Sequence, residues 1–171
     1  MGVGPPGRSG RDQLAAVRAI PELADPVGTR IVAIGCDKAG AGHAAALRAR
    51  GALLHSVPCV GGVHTSLIEF FVKNGAPGVI VVGCPPRDCA GREGPKWLHE
   101  RVFNDREAEL QPRVDRRRVC LATSAPGDLA GLIAEFDAFA KHLSVLDLPV
   151  RTLEPAFEAV CDSVLSDQAA P

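Results

Sequence analysis

One short stretch sets the terms for the whole chain. The apolar run Gly78-Val79-Ile80-Val81-Val82 leads straight into Gly83-Cys84-Pro85-Pro86-Arg87-Asp88-Cys89. An unbroken β-branched run with no polar alternation reads as a strand buried on both faces, the situation of a parallel sheet. Gly83 permits a sharp turn, and Pro85 and Pro86 remove two donors and stiffen the loop. Two thiols are thereby held on a pre-shaped loop at a strand's carboxyl end, where open α/β sheets place their ligand sites. A C-x₄-C spacing says little alone. It gains weight from two earlier strand-like runs that also end in cysteine, Arg30 to Cys36 and Leu53 to Cys59. Three parallel strands ending this way bring Cys36, Cys59, Cys84 and Cys89 to one edge as a four-thiolate site built from three loops.

A chain of 171 residues accommodates one domain with a substantial core, plus tails. A net charge of −1 offers no electrostatic case for nucleic acid or an anionic membrane surface. Tyr is absent and aromatic residues make up 4%, which also argues against a base-stacking platform. The apolar runs are too short to span a bilayer. The opening residues, Met1 to Arg8, lack the apolar stretch of a secretory signal. The expectation is a cytoplasmic protein, in which six cysteines serve metal or redox chemistry rather than disulfides.

The chain divides into a flexible Gly/Pro-rich segment with a short helix (1–28), an α/β domain (29–148) and a helical tail (149–171). The helix in the first segment is expected from Gln13 to Leu23. Strands are expected near 29–35, 52–57, 78–82 and 116–122. Between them lie helices from about His43 to Arg50, from Thr65 or Ser66 to Asn74, and for about 15 residues from Pro95. Another runs to about Leu143, and a tail helix covers about Glu154 to Leu165. Strand–helix alternation predicts an open, mainly parallel sheet of about four strands with helices on both faces. A flavodoxin-like order of 2-1-3-4 puts the first and third strands at the switch point, beneath Cys36 and Cys84.

Cys120, inside a strand, and Cys161, on the apolar side of the tail helix, read as small apolar core residues. The other four cysteines lie in Gly/Pro loops, where packing has no need of sulfur. Zinc and iron–sulfur clusters both accept four thiolates, and one close pair plus two isolated cysteines does not separate them. A thiol redox enzyme is a third reading, although no C-x-x-C pair is present. Gly40-Ala41-Gly42 lacks the rest of a dinucleotide fingerprint. His43, His55, His64, His99 and His142 are scattered, and His64 reads as a cap or surface residue. Arg87 and Asp88 read as a local pair shaping the loop. Val60, Val63, Pro85 and Pro86 are candidates for an apolar docking patch beside the cysteines, and the tail from Pro149 is a second.

Over about residues 29–143 the chain resembles the iron–sulfur delta subunit of methyl-viologen-reducing hydrogenase. The resemblance rests on the strands ending in Cys36 and Cys59, on the segment Gly75 to Cys89, and on Glu93-Gly94 followed by a basic helix and Arg118-Val119. It implies a [2Fe–2S] cluster held by Cys36, Cys59, Cys84 and Cys89. It also implies an electron-transfer subunit between a hydrogenase- or formate-dehydrogenase-like donor and a heterodisulfide-reductase-like flavoprotein, a domain that also occurs fused behind ferredoxin-like modules. The alternatives are a zinc-stabilised or cluster-free interaction module of a redox complex, or a thiol-based redox enzyme. The chain departs from the family pattern at Ala39, where a second cysteine is common, and over Val60 to His64.

Overall fold

The computed structural model describes residues 9–24, 30–40 and 43–146. Four parallel strands form one sheet: β1 (Val32–Cys36), β2 (Leu53–Val57), β3 (Val79–Gly83) and β4 (Val119–Thr123). Their order is β2-β1-β3-β4, the order expected from the sequence. The fold is α/β, with an all-parallel open sheet and helices around it, and is compatible with a flavodoxin-like arrangement. β3 is buried along all five residues because both of its faces are covered, which is why its sequence shows no alternation.

Successive strand residues feed two cores. Val32, Ile34, Cys36, Leu53, Val57, Val79 and Val81 face one of them, together with Leu67 and Phe71 of α5 (Thr65–Lys73) and Leu98 and Val102 of α6 (Gly94–Phe103). Val17 of α1 (Gly10–Arg18) and Leu23 of α2 (Pro21–Ala24) complete this side. Ala33, Ile80, Val82, Cys120 and Ala122 face the other core. There they meet Leu47 of α4 (Ala44–Ala49) and Leu132, Phe136, Phe139 and Leu143 of α7 (Leu129–Leu146). Among the described residues no helix is long and apolar enough to cross a membrane.

Several boundaries differ from expectation for identifiable reasons. α1 begins at Gly10 because Ser9 and Asp12 form a capping box, and Pro21 opens a separate helical turn. The loop after Cys36 is itself helical at its start, as α3 (Asp37–Gly40). α5 is capped by His64, whose ring Nδ1 accepts from the Ser66 amide at 3.2 Å, rather than by Thr65 or Ser66. α6 spans 10 residues, and the left-handed conformations of Asp105 and Ala108 turn the chain soon after it. Arg116–Arg118 form a 3-10 turn capped by Asp115, so β4 starts only at Val119. Arg118 donates to the carbonyls of Pro77 and Ala76 at 2.7 Å each, tying that turn to the start of β3. The expected tail helix and Cys161 lie outside the described residues.

Glu135 on α7 has a buried carboxylate oxygen, Oε2, without a hydrogen-bond partner. Burial, and secondarily the charge of Asp128, pushes its carboxyl up to about 7. The folded state therefore holds a proton that the unfolded chain releases near pH 4.5. This contribution to stability is complete below that value and is lost as pH rises through about 7. We expect Glu135→Gln to melt higher than the wild type at pH 8 and to narrow that difference at pH 5. Thermal melts at the two pH values check this.

Candidate thiol site

Level pairing of β1 with β3, Val32 opposite Val79 through Gly35 opposite Val82, brings the carboxyl ends of these strands to one height. Cys36 closes β1 and Cys84 follows β3. They are 4% and 5% exposed, and their sulfurs lie 3.6 Å apart. Cys36 Sγ also donates to the Pro58 carbonyl at 3.7 Å, which ties it to the loop carrying Cys59. Cys59 and Cys89 are half-buried. A Cβ on Gly91 would stand 3.0 Å from the Cys59 sulfur and 3.9 Å from that of Cys89, so both sulfurs flank the same point of backbone. A Cβ on Gly94 would stand 2.7 Å from Cys59 Sγ, so glycine there lets the start of α6 close on that thiol. Burial first, then the hydrogen bond and charge of Cys36 and the charges of Cys89 and Cys59, push the Cys84 thiol up to about 11.

The structure thus gathers the four expected cysteines at one sheet edge as a buried inner pair and a half-buried outer pair. Two thiolates on one tetrahedral metal at about 2.3 Å stand about 3.8 Å apart, so the inner pair fits shared ligation. Gly91 and Gly94 let the backbone close on the Cys59 sulfur, where a Cβ would collide with it. Among the described residues, however, no group of three or more His, Cys, Asp or Glu is closed up as a metal-holding set. The five described cysteines are free thiols. Cys120 is 1% exposed in the second core, away from this edge. His43 is buried beside Ser124, with ring Nδ1 and hydroxyl 3.4 Å apart, and His64 is committed to its capping role.

The loop bearing Cys89 is shaped by backbone. Pro86–Asp88 make a 3-10 turn, the Asp88 amide donates to the Pro85 carbonyl at 3.0 Å, and the Arg92 amide to the Cys89 carbonyl at 2.8 Å. The expected Arg87–Asp88 ion pair is absent among the described residues. The loop bearing Cys59 turns through a 3-10 segment, Val60–Gly62, which carries Val60 and Val63 inward to 2% and 1% exposure. These valines are core residues and supply no docking patch. Pro86 is exposed and Pro85 half-buried. A cavity of about 480 Å³ lies beside the site, bordered by Val60, Gly83, Pro95, Leu98 and Leu121.

Sequence reasoning missed Gly91, Arg101 and the packing of Gly94 against Cys59. The two glycines carried a faint signal, their place soon after the second loop cysteine. Arg101 carried none, since one more cation on an amphipathic helix reads as solvated surface.

The family model FlpD, described as methyl-viologen-reducing hydrogenase, delta subunit, matches residues 31–147. No curated protein matches the chain.

The burial of the valines flanking Cys59 has a direct consequence. Val60→Ala and Val63→Ala should each lower unfolding stability by about 2 kcal/mol, through lost transfer and a residual cavity. Glutamate at either position should abolish cooperative folding, since it buries an unpaired charge. Urea denaturation of the variants measures this.

Proposed function

The chain belongs to the methyl-viologen-reducing hydrogenase delta-subunit family, and on that premise we propose that it is an electron-transfer subunit carrying a [2Fe–2S] cluster on Cys36, Cys59, Cys84 and Cys89. Membership supports a hydrogenase-associated redox subunit with redox partner subunits; the cluster, its ligands and the particular partners are this reading's additions. The observation that carries it is the contact of the Cys36 and Cys84 sulfurs at 3.6 Å, at the switch point of the sheet. When bound, the cluster supplies a one-electron carrier.

The residues divide the work. Cys36 and Cys84, fixed by strand ends, shield one side of the site from water. Cys59 and Cys89, half-buried on loops, present the other side to a partner. Holding a cluster requires all four as thiolates, so loading displaces protons and is favoured by higher pH. Burial and the neighbouring thiols oppose loss of the Cys84 proton. The partners in this reading are a hydrogenase or formate-dehydrogenase module, a ferredoxin-like domain and a heterodisulfide-reductase-like flavoprotein, in the cytoplasm.

A second reading has one observation in its favour: two sulfurs at 3.6 Å also suit a dithiol redox pair. Burial opposes it, because both cysteines, at 4% and 5% exposure, are closed to a substrate. Zinc in place of the cluster is distinguished by colour. Anaerobically purified protein should show visible absorption bands that bleach on reduction; a colourless protein with stoichiometric zinc would refute the cluster. Cys84→Ser and Cys89→Ser should each abolish the bands, and Cys120→Ser and Cys161→Ser should retain them.

A further inference from the structure

The loop of Cys59 has no strand to hold it. Pro58 and Cys59 already lie beyond β2, and the 3-10 turn that follows contains two glycines. Val60 and Val63 anchor it in the core, and its outward carbonyls are held by polar groups from two helices. From α6, Arg101 Nη2 donates to the Gly61 carbonyl at 2.7 Å and to the Val63 carbonyl at 3.2 Å. From α1, Gln13 Nε2 donates to the Gly62 carbonyl at 2.7 Å, while its Oε1 accepts from the His64 amide at 3.0 Å. Between them the backbones of Gly61 and Gly94 pack so closely that a Cβ on Gly61 would stand 2.5 Å from Gly94 Cα.

Arg101 is an unusual residue for this place. It is half-buried, and among the described residues no carboxylate pairs with it. Its Nε is buried without a partner. Taking a guanidinium partly out of water is costly unless its donors are used well. Here they serve two loop carbonyls that have no sheet partner, and charge-assisted bonds of this kind are stronger than neutral ones. The same helix meets Cys59 again at its first residue, Gly94, whose backbone lies against the sulfur.

We propose that Arg101 is a positioning residue for Cys59: α6 grips the second cysteine loop through the guanidinium and thereby holds that one outer thiol in register with the inner pair. The proposal rests on the four-thiol reading but concerns a different residue and a different link. The inner pair is set by strand pairing and owes nothing to Arg101. Loss of the grip therefore frees one thiol selectively.

Site-resolved alkylation tests this in the full-length, reduced, metal-free chain, with iodoacetamide as probe and mass spectrometry of peptides as readout. Arg101→Gln should raise the alkylation rate of Cys59 roughly tenfold, the scale of one lost charge-assisted hydrogen bond. Cys36 and Cys84 should keep their wild-type rates. Arg101→Lys keeps the charge but not the planar fork, and should give an intermediate rate at Cys59. An unchanged Cys59 rate in Arg101→Gln overturns the proposal. So does a common rise at all four thiols, which would make Arg101 a general stabiliser. If Arg101→Gln does not fold, Arg101→Lys decides, and a wild-type Cys59 rate there overturns it equally. After loading with iron and sulfide, Arg101→Gln should lose its cluster to a chelator roughly tenfold faster than the wild type, and equal rates overturn the proposal. A wild type that takes up no cluster sinks the functional reading instead, and leaves the alkylation comparison to decide on Arg101.

Discussion

Because Val32 lies opposite Val79 and Gly35 opposite Val82, the two central strands end level, and the first thiol of the chain meets the third. A slip of one residue in this pairing would turn Cys36 to the other face of the sheet and separate it from Cys84. The hydrophobic pattern forbids the slip. Val32, Ile34, Val79 and Val81 fill one core, while Ala33, Ile80 and Val82 fill the other beneath the aromatic residues of α7. Exchanging the faces would place large side chains where α4 and α7 leave room for alanine. Thus core packing selects the register in which strand pairing fixes the inner half of the thiol site.

The outer half depends on a different kind of force. Loops past strand ends cannot rely on ladder hydrogen bonds, so their carbonyls need partners from elsewhere. Gln13, Arg101 and backbone turns provide them around Cys59 and Cys89. The site therefore joins a rigid element to an adjustable one. Redox centres that exchange electrons with another protein need this combination: burial on one side to exclude water, and accessible edges on the other.

Much of this was legible in the sequence because parallel sheets write plainly. The unbroken Gly78–Val82 run marked β3, and three strand-like runs ending in cysteine marked the edge. Strand–helix alternation marked the parallel sheet, and the flavodoxin-like order 2-1-3-4 assumed for it is the one found. What could not be read were features set by tertiary contact. Val60 and Val63 sit in a Gly-rich loop and looked like surface, yet a 3-10 turn folds them into the core. α6 was expected to be longer because nothing in its composition announces the left-handed turns at Asp105 and Ala108. Arg116 to Arg118 extended the apparent strand, though Asp115 caps them into a turn. Arg101 escaped notice because its partners are carbonyls, which leave no trace in residue type.

The central claim is that thiols from three strand ends act as one redox site. Native mass spectrometry of the anaerobically prepared chain tests it most directly, since the intact mass reports what the folded protein holds. The account predicts a species heavier than the chain by two irons and two sulfides, which Cys36→Ser eliminates. A folded chain at its bare mass, or one carrying a single zinc, would contradict it.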